Sequence, residues 1–213
     1  MFVKACKTSL YLVDVQNDFM KPEGALYVPG AEKLIPNIVK LAKLFEYVPH
    51  GLSGSMDWHD TDCKEFDAHG GPFPPHCLKE SFGSHIIPEL DMHISGLFTK
   101  DSYDVFTNER ADRYFSDPKM ASAIFVAGVA TEFCVLAAAE GLLDRGHQVI
   151  LVEDAIMGIK EEDAQASIEQ LKRHGAMTCK TDQVKDLREF ILHFGKASGE
   201  SVLRAMKQVE VTL

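Results

Sequence analysis

The 213-residue sequence has no CxxC pair, no run of lysine and arginine, no internal repeat and no long apolar stretch free of acidic residues. Each gap excludes something. Its five cysteines, Cys6, Cys63, Cys77, Cys134 and Cys179, are odd in number, which argues against a disulfide framework and for free thiols in a reducing compartment. With 22 basic against 32 acidic residues the formal charge is -10; such a chain repels a phosphate backbone, so nucleic acid is not an expected partner. The most apolar stretch, 121–143, contains Glu132 and Glu140. Both are expensive at bilayer depth, so the stretch reads as core and no membrane association is expected. Lys4 and Lys7 precede an apolar run that stops at Asp14, too short for the centre of a signal peptide, and a cytoplasmic location is expected. Fifteen glycines and nine prolines without a period exclude a collagen-like or low-complexity chain. What remains, 46% hydrophobic and 25% charged, suits one globular domain spanning 1–213, with 196–213 a polar tail or terminal element.

Strand and helix signals alternate along the chain. Ser9 to Val13 reads as a buried strand ending at Asp14, and Ala31 to Phe45 keeps helical spacing at Leu34, Ile35, Ile38, Leu41, Ala42 and Phe45. Residues 46–56 have weaker strand character, interrupted by Pro49, Gly51 and Gly54, and 57–85 is a long turn-rich segment. Ile94 to Thr99, Ile124 to Gly128 and Gln148 to Val152 read as further strands. Thr131 is the predicted N-cap of a helix through Val135, Leu136, Ala139 and Leu143 to Gly146. An acid-started helix over 161–174 stops at Gly175, a short strand follows near Ala176 to Cys179, and Asp182 caps a last helix with Val184, Leu187, Phe190, Ile191 and Phe194 on one face. Alternation of this kind implies a parallel sheet covered on both sides, with ligands at the carboxyl ends of its strands.

Reactive side chains fall at those ends. Asp14 follows the first strand, Lys100 follows Ile94 to Thr99, and Cys134 lies in the first turn of the helix after Ile124 to Gly128. Taken singly, an aspartate caps loops, a lysine is solvated and a cysteine fills core. Together they make a nucleophile: the helix start and a nearby lysine favour thiolate over thiol, and the aspartate exchanges protons. A second group, Asp57-Trp58-His59 with Pro74-Pro75-His76-Cys77, offers one carboxylate and two imidazoles, a sensible set for zinc, manganese or iron that leaves a position for water or substrate.

The pieces, in order, resemble the nicotinamidases, the metal-bearing branch of the isochorismatase-like cysteine hydrolases. They are Asp14-Val15-Gln16-Asn17-Asp18-Phe19, Asp57-Trp58-His59, Gly70 to Cys77, Phe98-Thr99-Lys100 and Gly128 to Val135, spread over roughly 8–180. The resemblance implies a three-layer α/β/α fold with a mostly parallel six-stranded sheet. It implies Asp14, Lys100 and Cys134 as catalytic triad, and hydrolysis of nicotinamide to nicotinate and ammonia through a thioester, a step of NAD salvage, with pyrazinamide as a second substrate. It places a cis peptide between Val129 and Ala130, which aims the N–H of Ala130 and that of Cys134 at an oxyanion. It makes Asp57, His59 and His76 the ligands of one divalent ion, zinc first, which grips the ring nitrogen, and Phe19 and Phe73 the aromatic walls around the ring.

Several positions depart from the family pattern. Cys63 stands where many relatives have a histidine that can be a further ligand; three protein ligands are favoured over a thiolate. Phe73 replaces a common tryptophan, and Glu132-Phe133 a frequent Asp-Tyr. Two other readings stay open: a metal-free relative cleaving a carbamoyl or ureido amide, and a catalytically silent binding module. A homo-oligomer is also left open.

Overall fold

The computed structural model describes residues 8–90 and 94–194, apart from the side chains of Phe190, His193 and Phe194. The predicted terminal tail and the Lys4–Lys7 segment therefore lie outside the described residues, as do the side chains of two members of the last helical face.

Six strands form one sheet in the order β3-β2-β1-β4-β5-β6, and every pairing is parallel. They are β1 (Thr8–Val13), β2 (Leu52–Asp57), β3 (Gly96–Lys100), β4 (Ala123–Val129), β5 (Gln148–Met157) and β6 (Met177–Cys179). The helices are α1 (Asn17–Met20), α2 (Ile35–Phe45), α3 (Glu109–Ser116), α4 (Leu136–Asp144), α5 (Glu161–His174) and α6 (Val184–Phe194). The side-chain period of two along β1 divides the core. Leu10 and Leu12 face a layer that contains Ile38 and Leu41 of α2 and Leu187 and Ile191 of α6. Tyr11 and Val13 face Phe115 of α3, Leu142 of α4 and Leu171 of α5. This is the expected α/β/α sandwich, with a sheet parallel throughout.

The strand order runs outward in both directions from the β1/β4 pair, so the loops leaving these two strands diverge and open a crevice at their carboxyl ends. Two backbone features mark that place. Asp14 is left-handed (φ 49), a region aspartate tolerates better than most residues. Gly128 (φ 124) lets β4 pass beside β1, because a Cβ there would sit 2.0 Å from the Val13 carbonyl oxygen.

Local differences from the sequence reading have local causes. The interrupted second strand is real but begins later, at Leu52; its Ser53, Gly54 and Ser55 look like loop residues and are buried between β1 and β3. The first helix starts as a 3-10 turn (Ala31–Leu34). β5 does not stop at Glu153 but runs to Met157, with a register shift against β4 between Val126 and Gly128. Asp182 is not the cap of α6: Asp154 accepts from the Thr181 N–H and hydroxyl, each at 2.8 Å, and holds the start of that helix from β5. Helix α3 carries a legible signal that the sequence reading passed over, since Asn108 accepts from Arg110 N–H (2.9 Å) and Ala111 and Phe115 sit on one face.

Candidate active site

β1, β2, β3 and β4 all deliver site residues at their carboxyl ends. Asp14 follows β1, Asp57 ends β2 and Lys100 ends β3, while Cys134 lies in a π-helical turn, Thr131–Val135, between β4 and α4. Thr131 is thus the first residue of that turn rather than its N-cap, which is Ala130 without a side-chain cap. Parallel pairing in register places Asp57 beside Lys100.

The lysine is the hub. Its Nζ lies 2.9 Å from Asp14 Oδ2 and 3.2 Å from Cys134 Sγ, and it also pairs with Asp57 Oδ1. All four residues are buried. Burial opposes the ammonium charge, but Asp14, Cys134 and Asp57 outweigh it and hold Lys100 well above its ordinary value. Burial raises the Asp14 carboxyl, against the pull of Lys100 and with Asp57 adding to it. The Cys134 thiol is also pushed well up, by burial first, with Lys100 opposing and the two carboxylates adding. Desolvation and the two neighbouring acids thus work against the thiolate that the helix start and Lys100 favour. Ser55 donates to Asp14 Oδ1 at 2.7 Å, so the other carboxylate oxygen is the one presented to Lys100.

Asp57 joins this group to the second. Its Oδ2 lies 3.6 Å from His59 Nε2 and 3.8 Å from His76 Nε2. The two imidazoles are oriented from behind: His76 Nδ1 meets the Pro74 carbonyl at 2.8 Å and His59 Nδ1 meets Cys63 Sγ at 3.3 Å. Outer partners of this kind turn the Nε2 lone pairs inward. His59 Nε2 is buried with no hydrogen-bond partner among the described residues, an orphan that a metal ion would satisfy. Asp57, His59 and His76 bring their donor atoms within 4.8 Å of one another, a group that could hold a metal ion. Asp14, Asp57 and Cys134 are equally close, but the Lys100 ammonium already occupies the cation position among them. Burial lowers the His76 pKa, which keeps that ring neutral and able to coordinate. Cys63 is accounted for without a ligand role, behind His59.

Sequence reasoning missed the clamp on Asp57. Gln16 donates through Nε2 to the Asp57 carbonyl (2.8 Å) and to that of Ser84 (2.7 Å), and accepts from the Asp57 N–H (2.8 Å). Its position two residues after Asp14 was the available signal. Also unforeseen are Glu65, Tyr103 and Ile159, which line the cavity above Cys134 together with Phe19, Phe73, His76, Ala130 and Phe133. Burial and the nearby Asp57 raise the Glu65 carboxyl. Phe19 and Phe73 flank His76, ring centroids 5.6 and 5.9 Å away. The peptide between Val129 and Ala130 is cis, as the resemblance implied.

An isochorismatase domain matches residues 8–183. The chain belongs to the isochorismatase family. Among similar structures of that family is the pyrazinamidase of Pyrococcus horikoshii in complex with zinc, 31% identical with a TM-score of 0.74, the match covering 82% of this chain and 99% of that one. PnC1 from L. infantum in complex with nicotinate is 29% identical at a TM-score of 0.72, covering 85% and 96%. The nicotinamidase of Saccharomyces cerevisiae is 25% identical over 207 residues, 78% of this chain and 96% of its own length. This isochorismatase-family chain thus spans nearly the whole length of these three relatives, with its crevice inside the matched region.

Proposed function

We propose that this protein is a nicotinamidase, hydrolysing the carboxamide of nicotinamide to nicotinate and ammonia and accepting pyrazinamide as a second substrate. The observation that carries the reading is a single buried lysine contacting an acid, a thiol and a metal-facing carboxylate beneath a narrow aromatic cavity. The relatives support the substrate class, since nicotinamidases, a pyrazinamidase and a nicotinate complex are among them.

A divalent ion, for which we propose zinc, would be held by Asp57, His59 and His76 and supply a Lewis-acidic anchor for the ring nitrogen. The chain's own groups do the rest. Phe19 and Phe73 hold the ring by its faces and keep water from it. Asp14 takes the Cys134 proton as the sulfur attacks the carboxamide carbon. Burial has raised the proton affinity of both, so the transfer runs between two poorly solvated groups and needs no free thiolate. Lys100 stays charged and compensates the negative charge that moves from Asp14 to sulfur. The N–H groups of Ala130 and Cys134 receive the oxyanion. Asp14 returns its proton to the departing nitrogen, the C–N bond breaks with release of ammonia, and a thioester remains on Cys134. Water, deprotonated by Asp14, then cleaves the thioester to nicotinate and the thiol. The free thiols Cys63, Cys77, Cys134 and Cys179 suit a reducing compartment, and we place the reaction in the cytoplasm.

Ammonia release from nicotinamide, measured before and after chelation and re-addition of zinc, tests this reading. Metal-dependent turnover is expected. Cys134→Ala should lower it on the order of a thousandfold or more with the fold retained. Turnover untouched by chelation would favour a metal-free amidase instead, and substantial residual activity in Cys134→Ala would remove that residue from its role.

A further inference from the structure

We propose that Glu132 is a positioning residue which sets the shape of the substrate cavity by tying the nucleophile turn to the loop that carries Ile159. The inference rests on the amide-hydrolase reading and adds a determinant of which rings the cavity admits.

Glu132 stands two residues before Cys134 in the π-helical turn. Its side chain does not face the catalytic groups. Oε1 accepts from the Ile159 N–H at 2.8 Å and the Lys160 N–H at 3.1 Å, across 27 and 28 positions of sequence. Those are the N–H groups at the entry of α5, a helix whose own N-cap, Lys160, supplies no side-chain cap. A carboxylate at a helix start is favoured by the free N–H groups and the dipole, yet here it comes from another element. The contact is tightly built. Oε2 is buried with no hydrogen-bond partner among the described residues, and a Cβ on Gly158 would lie 2.3 Å from it and 2.6 Å from Ala164 Cβ. A side chain at 158 would force the carboxylate or Ala164 to shift.

The consequence reaches the site because both ends of the tether line it. Phe133 and Cys134 follow Glu132, Ile159 is held by it, and all three line the cavity. Ile159 is also 37% exposed, so its apolar surroundings alone do not fix it; the backbone is fixed by Glu132. Losing the carboxylate would free the loop and let the Ile159 wall recede while leaving the contacts among Asp14, Lys100 and Cys134 as they are.

The test compares ammonia release from nicotinamide with that from nicotinamides bearing a methyl group at each free ring carbon, using metal-loaded protein. Wild-type protein should prefer nicotinamide. In Glu132→Ala that preference, as a ratio of kcat/KM values, should fall at least tenfold for one or more methylated amides. Glu132→Gln keeps one oxygen for both N–H groups and should retain the wild-type ratio. Ile159→Ala removes the wall and leaves the cap, and should match Glu132→Ala. Unchanged ratios in Glu132→Ala and Ile159→Ala overturn the proposal whatever happens to overall rate. Should Glu132→Ala fail to fold by circular dichroism, an unchanged ratio in Ile159→Ala or a relaxed one in Glu132→Gln overturns it. Should wild-type protein hydrolyse none of the amides, the functional reading fails separately. Amide hydrogen exchange at Ile159 and Lys160 then decides the tether, at least tenfold faster exchange in Glu132→Ala but not in Glu132→Gln supporting it and equal exchange ending it.

Discussion

Ser55 shows how a small residue can govern a reactive one. Its hydroxyl holds one oxygen of Asp14 at 2.7 Å, and a hydrogen bond to a charged group contributes about 1.5–3 kcal/mol. Ser55→Ala should therefore lower kcat for ammonia release roughly tenfold or more while metal content, measured by elemental analysis, stays stoichiometric; loss of metal instead would show that Ser55 acts through Asp57. Cys63 makes a complementary case. Placed behind His59 rather than in the ligand set, it should act as an outer partner, and Cys63→Ala should weaken metal affinity about 10- to 100-fold in chelator competition without abolishing it. A complete loss would restore it as a ligand. Neither role was legible in sequence, because a serine in a weak strand and a cysteine in a loop show nothing of what they face.

At the scale of elements, β1 and β4 matter most, since the divergence of the loops leaving them opens the crevice and their close approach makes it rigid. Gly128→Ala puts a Cβ against the Val13 carbonyl in a left-handed backbone. Strain of this kind costs about 1–3 kcal/mol, which for a chain of this size is a drop in Tm of roughly 2–12 °C by calorimetry; activity should fall with it, because Asp14 follows Val13 directly. An unchanged Tm would mean that β1 and β4 part easily. The strands with strong apolar runs, β1, β4 and β5, were plain in sequence. β2 was faint because its serines and glycine are buried by neighbouring strands rather than by their own hydrophobicity, and the extension of β5 past Glu153 depends on pairing that no local signal announces.

For the molecule as a whole, burial of weak acids links the fold to pH. Burial pushes Cys179 from its ordinary 9.0 up to about 12, and Tyr114 from 10.0 up to about 12. The folded state thus holds these protons more tightly than the unfolded chain. Their contribution to stability is complete below about pH 9 and is lost as pH rises towards 12. Thermal melts should show a falling Tm above pH 9, and Cys179→Ala should make the fall shallower; a flat profile to pH 11 would show that these groups ionise freely in the fold. Among the described residues no helix is long and apolar enough to cross a membrane.

The sequence by itself determined the kinds of chemistry available and the layered alternation of strands and helices, because hydrophobic period and residue type are local properties. It also placed Asp14 and Lys100 at strand ends and the Asp57 motif in the turn-rich segment. Tertiary structure alone decided that one ammonium would touch two carboxylates and a thiol, that burial would raise the thiol's hold on its proton, and that Glu132 would reach another helix. Those outcomes depend on distance and on the exclusion of water, and neither exists until segments far apart in the chain have packed together.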